Sequence, residues 1–126
     1  MSNRKFEIHK NNDNQYWFGL KTVNGENIGK SKGYLVKQSA KKGIKSVRKN
    51  SQSLNNFTIK QSDRDNQWHF NLKSQDNGKV IFISKSYTSK QDAETGIESV
   101  KMNALKAPID DLVLKITRVR ADKKSS

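Results

Sequence analysis

The chain states one pattern twice. Residues 25–50 align with residues 78–103 at a shift of 53, with 13 identities in 26 positions. Gly25, Ser31, Tyr34, Ala40, Gly43, Ile44, Val47 and Asn50 return as Gly78, Ser84, Tyr87, Ala93, Gly96, Ile97, Val100 and Asn103. Upstream, NQYWFGLK at residues 14–21 returns as NQWHFNLK at residues 66–73, shifted by 52. A period of this size marks two copies of one supersecondary unit. Each copy alone is too short for a comfortable core, so the two are expected to share one core within a single domain. Residues kept in both copies are candidates for folding. Residues carried by one copy only are candidates for function.

Hydrophobic period assigns the elements. Phe6 and Ile8 alternate with Lys5, Glu7 and His9, a half-buried strand. Tyr16, Phe18 and Leu20 point one way, with Trp17, Gly19 and Lys21 the other. Asn24–Gly25 is a strong hairpin turn signal, and a third strand is expected over residues 26–34. Ala40, Gly43, Ile44 and Val47 then follow helical spacing, predicting a helix over Lys37–Asn50 and a polar connector over residues 51–56. The second copy repeats the order: a strand at Phe57 and Ile59, one at Trp68, Phe70 and Leu72, a third over residues 79–87, and a helix with Ala93, Gly96, Ile97 and Val100 on its buried side. Gly43 and Gly96 are poor helix formers, so their recurrence predicts a helix lying too close to the sheet for a Cβ. Leu112, Leu114 and Ile116 predict a last strand over residues 111–119, and residues 121–126 read as a disordered tail. The expected organisation is a first repeat over residues 5–50, a second over 57–104 and a C-terminal segment over 105–120. The expected fold is α+β: tandem strand-strand-strand-helix(-strand) repeats sharing one mostly antiparallel sheet, both helices on one face, and a C-terminal strand closing the sheet.

The ordered motifs FEIHKNNDNQYWFGLK, NGENIGKSKGY and AKKGIKSVRKN, then QWHFNLK, NGKVIFISKSY and ETGIESVKMN, resemble the YegP-like family of small proteins. The resemblance spans about residues 5–104. It implies units that stand singly as homodimers or in tandem, build one continuous sheet and exchange their last strands, with residues 111–119 as the final strand here. It implies no established reaction. The chain departs from the family pattern in its longer, more basic C-terminal segment, its basic first half, and Gly19 where the second copy has Asn71.

Composition narrows the function classes. There is no cysteine, which excludes disulfides, thiolate nucleophiles and Cys-type zinc sites. No run of about 18 apolar residues exists, and MSNRKFEIHKNN lacks a signal-type apolar core. A cytoplasmic protein is the expectation. The net charge is +13, concentrated in residues 1–50, where 12 Lys/Arg less 3 Asp/Glu give +9. Such imbalance concerns partners rather than fold.

Several motifs read as structure. GENIGKS, from Gly25 to Ser31, has three residues between its glycines where a phosphate loop needs four, and it enters a strand instead of a helix. His9 and His69 are the conventional general bases, but they are not repeat-equivalent: His9 aligns with Lys60 and His69 with Trp17. Asp63 with Asp65, and Asp110 with Asp111, fit turns and caps. The sequon at Asn56, Phe57 and Thr58 carries little weight without a secretion signal. No cofactor or metal is implied.

The first helix carries the feature that one copy alone possesses. Lys37, Lys41, Lys42, Lys45, Arg48 and Lys49 flank its apolar stripe, whereas the second helix has Glu94, Thr95, Glu98, Lys101 and Met102 at the last five of these positions. Like charges at i, i+4 slightly oppose a helix, and a polyanion would relieve them. Arg118, Arg120, Lys123 and Lys124 extend the basic set. The bland alternative is a solvated lysine face. A second candidate surface is the sheet face away from the helices, with Trp17, Lys21, His69 and Lys73 beside Lys5 and His9, where rings and lysines could hold a single strand. The favoured alternative for Trp17 is packing under a loop or the C-terminal strand. The leading expectation is a non-enzymatic basic binder of nucleic acid or another polyanion, as a monomeric internal pseudo-dimer or a homodimer. A protein-interaction or self-assembly module comes second, and a nucleotide- or RNA-acting enzyme third.

Overall fold

The computed structural model describes residues 3–113. The first repeat forms β1 (Lys5–Lys10), β2 (Tyr16–Lys21), β3 (Asn27–Lys30) and α1 (Lys37–Asn50). A 3-10 turn (Leu54–Asn56) leads into β4 (Phe57–Gln61), β5 (Trp68–Lys73), β6 (Val80–Ser84) and α2 (Lys90–Ala104), and β7 (Ile109–Asp111) follows. The strands make one seven-stranded sheet in the order β4-β5-β6-β3-β2-β1-β7. All neighbours are antiparallel except β1 and β7, which are parallel. No described helix is long and apolar enough to cross a membrane.

Both copies contribute to a single core under the two helices. Phe6, Ile8, Phe18, Leu20, Phe70, Leu72 and Phe82 are fully buried, each contributing about 1.5–3 kcal/mol by leaving water. The repeated turns close in the left-handed region, with Gly25 at φ +80° and Gly78 at φ +70°. Repeated polar residues serve the frame. Ser31 and Ser84 accept from the Phe18 and Phe70 amides at 3.0 and 2.9 Å and donate to the Lys32 and Lys85 carbonyls. Asn50 and Asn103 each donate back to the carbonyl one turn earlier, at Ser46 and Ser99.

The halves meet where β3 pairs with β6, with Lys30 opposite Ile83. These two residues are repeat-equivalents, so an approximate two-fold axis passes between them. Beside it, Phe82 fills the core and its counterpart is Gly29. A Cβ on Gly29 would stand 2.5 Å from the Ile83 carbonyl oxygen and 2.7 Å from the Phe82 ring. One copy supplies the ring at the axis and the other the vacancy that admits it.

Two expectations about strands are corrected. The third strands are shorter than residues 26–34 and 79–87, because a register shift follows Leu20 and Leu72 and the Ser31 and Ser84 hydroxyls take amides that would continue the ladder. The chain rejoins only at isolated bridges, Tyr16 with Tyr34 and Trp68 with Tyr87. The last strand begins earlier than 111 and spans three residues, and Leu112 and Val113 turn helical. The rest of the expected strand to 119, with Arg118 and Arg120, and the tail 121–126 with Lys123 and Lys124, lie outside the described residues.

Gly43 and Gly96 sit where the sheet rises to the helices. A Cβ on Gly43 would lie 2.5 Å from the Tyr34 hydroxyl and 2.9 Å from the Phe18 ring, and Gly96 faces Tyr87 and Phe70 in the same way. Gly96→Ala is therefore expected to destabilise the fold by about 1–3 kcal/mol through overpacking, despite the better helix propensity of alanine. Chemical denaturation measures it, and a stabilised variant would contradict the packing argument. Burial also favours the neutral phenol of Tyr87, which is pushed up to about 12 from 10.0, with Glu26 and Asp92 adding to burial. Above 10 the unfolded chain loses a proton that the folded chain keeps. Stability should thus be undiminished below that pH and fall as pH rises toward 12, as followed by phenolate absorbance alongside denaturation.

Candidate functional site

The cations of α1 separate into two groups. Ala40, Gly43, Ile44, Val47 and Asn50 face the sheet, which turns Lys41, Lys42, Lys45 and Lys49 to solvent. Lys41, Lys42 and Lys45 have no carboxylate within ion-pair distance among the described residues. Lys49 is 3.9 Å from Asp76, and their side chains are 70% and 77% exposed, so that contact is weak and screened. Lys37 and Arg48 behave differently. The Lys37 ammonium pairs with Asp111 at 2.9 Å. Arg48 Nη2 donates to the Ala107 carbonyl at 2.6 Å, and its guanidinium lies 5.5 Å from the Phe6 ring centroid. These two fasten α1 to the segment that carries β7. On α2 the outward positions are Glu94, Thr95, Glu98 and Met102, all exposed.

The sheet face also separates. On β1 and β2, Glu7 receives Lys5 at 3.4 Å, Lys21 at 3.4 Å and His9 Nε2 at 3.5 Å. Lys5 also hydrogen-bonds Asp110 at 3.2 Å, the first cause of an ammonium pKa held above its ordinary value. His9 stacks on Trp17 with ring centroids 4.3 Å apart and planes 19° apart. This parallel contact occupies one face of the indole. His69 and Lys73 belong to β5, and β6 and β3 stand between them and Trp17 and Lys21. At about 4.8 Å per strand, the four do not form one site.

The same strand order removes a joint histidine site. His9 and His69 lie four strand spacings apart, about 19 Å by sheet geometry. No group of three His, Asp or Glu suited to a metal occurs among the described residues. An open concavity of about 370 Å³ beside Trp17 is lined by Asn27, Lys30, Ile83 and Lys85. Lys85 there pairs with Glu26. Inside-outside alternation does not single out Lys30 and Ile83, because the register shifts after Leu20 and Leu72 change the parity of β3 and β6.

Residues 11–57 and 63–111 each match the family described as a domain of unknown function, DUF1508. The UPF0339 protein YegP of Escherichia coli strain K12 is 42% identical over 106 residues, covering 84% of this chain and 94% of the relative. The UPF0339 protein PA0329 of Pseudomonas aeruginosa is 42% identical over 107 residues, 85% of this chain and 96% of its own. Among solution NMR structures, UPF0339 protein SO3888 of Shewanella oneidensis superposes with a TM-score of 0.80 at 35% identity, over 89% of this chain and 92% of that one. The YegP structure from E. coli gives 0.81 at 41%, over 88% and 93%. Two matched domains, a shared fold and identity along most of the length lead to one assignment: the chain belongs to the DUF1508 family, the tandem-repeat UPF0339 (YegP-like) proteins.

Proposed function

We propose that this chain is a non-enzymatic, cytoplasmic binding protein that grips the phosphate backbone of a nucleic acid, or another polyanion, through the outward face of α1. The supporting observation is the set Lys41, Lys42, Lys45 and Lys49 on one exposed helix face, three of them without a carboxylate partner among the described residues. The same positions of α2 carry two glutamates and no lysine, so the fold does not need the charge. Lys37 and Arg48 are left out of the contact set because both are engaged within the fold. Arg118 and Arg120 add to it through sequence alone. Such a surface contacts phosphates and leaves base edges unread. Catalysis has no comparable support: His9 approaches the Glu7 carboxylate at 3.5 Å, but that carboxylate is already shared with Lys5 and Lys21.

Electrophoretic retardation of single-stranded DNA, duplex DNA and RNA, with heparin as a non-specific control, tests this reading. Three to four phosphate contacts give a slope of roughly −3 to −4 in log affinity against log salt. Affinity should then fall on the order of a hundredfold between about 50 and 200 mM salt. Replacing Lys41, Lys42 and Lys45 together by glutamate should lower affinity and flatten that slope by about 3 while leaving the thermal transition in place. Absence of retardation at low salt, or a triple variant that binds as the parent does, would sink the proposal.

A further inference from the structure

The internal symmetry of the sheet is broken at its edges. β1 is covered by β7, with Ile109 opposite Phe6 and Asp111 opposite Ile8. Among the described residues, its repeat counterpart β4 has no strand on its outer side. The reason is in the sequence: moved back by 53 residues, β7 falls on positions 56–58, which already begin β4. The first repeat has no residues left from which to make a covering strand. The 3-10 turn fills only the first rung, where the Phe57 amide donates to the Leu54 carbonyl, the place at which Phe6 donates to Pro108.

Beyond that rung a groove of about 510 Å³ lies between β4 and α2. Phe57 and Ile59 are half-buried there, whereas their counterparts Phe6 and Ile8 are fully buried beneath β7. Lys90 in the groove is the counterpart of Lys37, which holds the Asp111 carboxylate at 2.9 Å. Lys90 has no carboxylate partner among the described residues. Glu94 and Glu98 line the same wall, where α1 has Lys41 and Lys45.

We propose that the outer edge of β4 is a docking site for an extended peptide strand of another protein. The strand adds in parallel, as β7 adds to β1. The residue opposite Ile59 carries a carboxylate that Lys90 receives, the residue two positions earlier is apolar, and a basic residue upstream faces Glu94 and Glu98. Main-chain hydrogen bonds to a free sheet edge supply the general affinity, and the alternate side chains supply the selectivity. This site is separate from the α1 face and stands or falls independently of it.

A capped synthetic peptide copying residues 106–112 offers the required pattern through Lys106, Ile109 and Asp111. Titrated into the isotope-labelled full chain, it is expected to give saturable amide shifts at Phe57, Ile59 and Lys90 and none at Phe6 or Ile8. A peptide with Asp111→Lys should bind about threefold more weakly. In a Lys90→Glu chain the preference should reverse, with the lysine peptide binding better than the parent peptide. Absence of shifts at β4, shifts only at β1 through displacement of β7, or affinities indifferent to both charge reversals would overturn the proposal. So would concentration-dependent shifts at β4 without peptide, which would make a second copy of this chain the occupant.

Discussion

The structure depends on how two short units share one interior across a narrow seam. β3 and β6 are paired through only two residue pairs, so main-chain bonding there is slight. The seam is held by volume. Phe82 fills the core at the axis, and Gly29 is the residue whose missing side chain admits it. Two phenylalanines at equivalent places would compete for one space, and two glycines would leave a cavity whose lining loses its contacts. Duplication within one chain allows the two sides of an axis to differ, and this pair uses that freedom. The seam is braced further by Asn50, at the end of α1, which accepts the Gln75 amide of the opposite repeat at 2.9 Å.

Once the halves are joined, the same asymmetry extends to the surface. One end of the sheet is finished by β7, and α1 is tied to that finish through Lys37 and Arg48. Among the described residues the other end stops at β4, and α2 presents Glu94 and Glu98 beside it. A cation that fastens a strand in the first repeat has a counterpart in the second, Lys90, with no carboxylate partner among the described residues. Charges that look alike along the helix wheel therefore do different work, according to which edge they overhang.

Much of this was legible in the sequence because it is local and repeated. The inward rows Phe6–Ile8, Tyr16–Phe18–Leu20 and Phe70–Leu72 were readable from their period, and the helical glycines from their recurrence. Less legible was whatever depends on contacts between distant segments. Nothing in the spacing of Lys37 or Arg48 distinguishes them from Lys41 or Lys45, since their partners Asp111 and Ala107 lie at the far end of the chain. Trp17 and His69 align in the repeat, yet a two-fold arrangement carries equivalent residues to opposite sides of the axis instead of gathering them. The alternation at Leu112 and Val113 reads as a strand, yet these two residues turn helical, and β7 is set by the edge of β1, where the Phe6 amide meets the Pro108 carbonyl.

The energetics of α1 point away from stability as the reason for its charge. Its N-cap position is Val36, with no side-chain cap and no acidic residue in the first turn, whereas Ser89 caps α2 and Asp92 follows it. A missing cap costs about 1 kcal/mol, and each like-charged pair along Lys41, Lys45 and Lys49 opposes the helix by a few tenths. Arg48 and Lys49 in the last turn recover part of this from the helix dipole. What keeps α1 formed is burial of Ala40, Ile44 and Val47, which α2 matches with Ala93, Ile97 and Val100. The lysine face is an addition that the fold tolerates and that its twin does without, and a bound anion would convert that mutual repulsion into attraction.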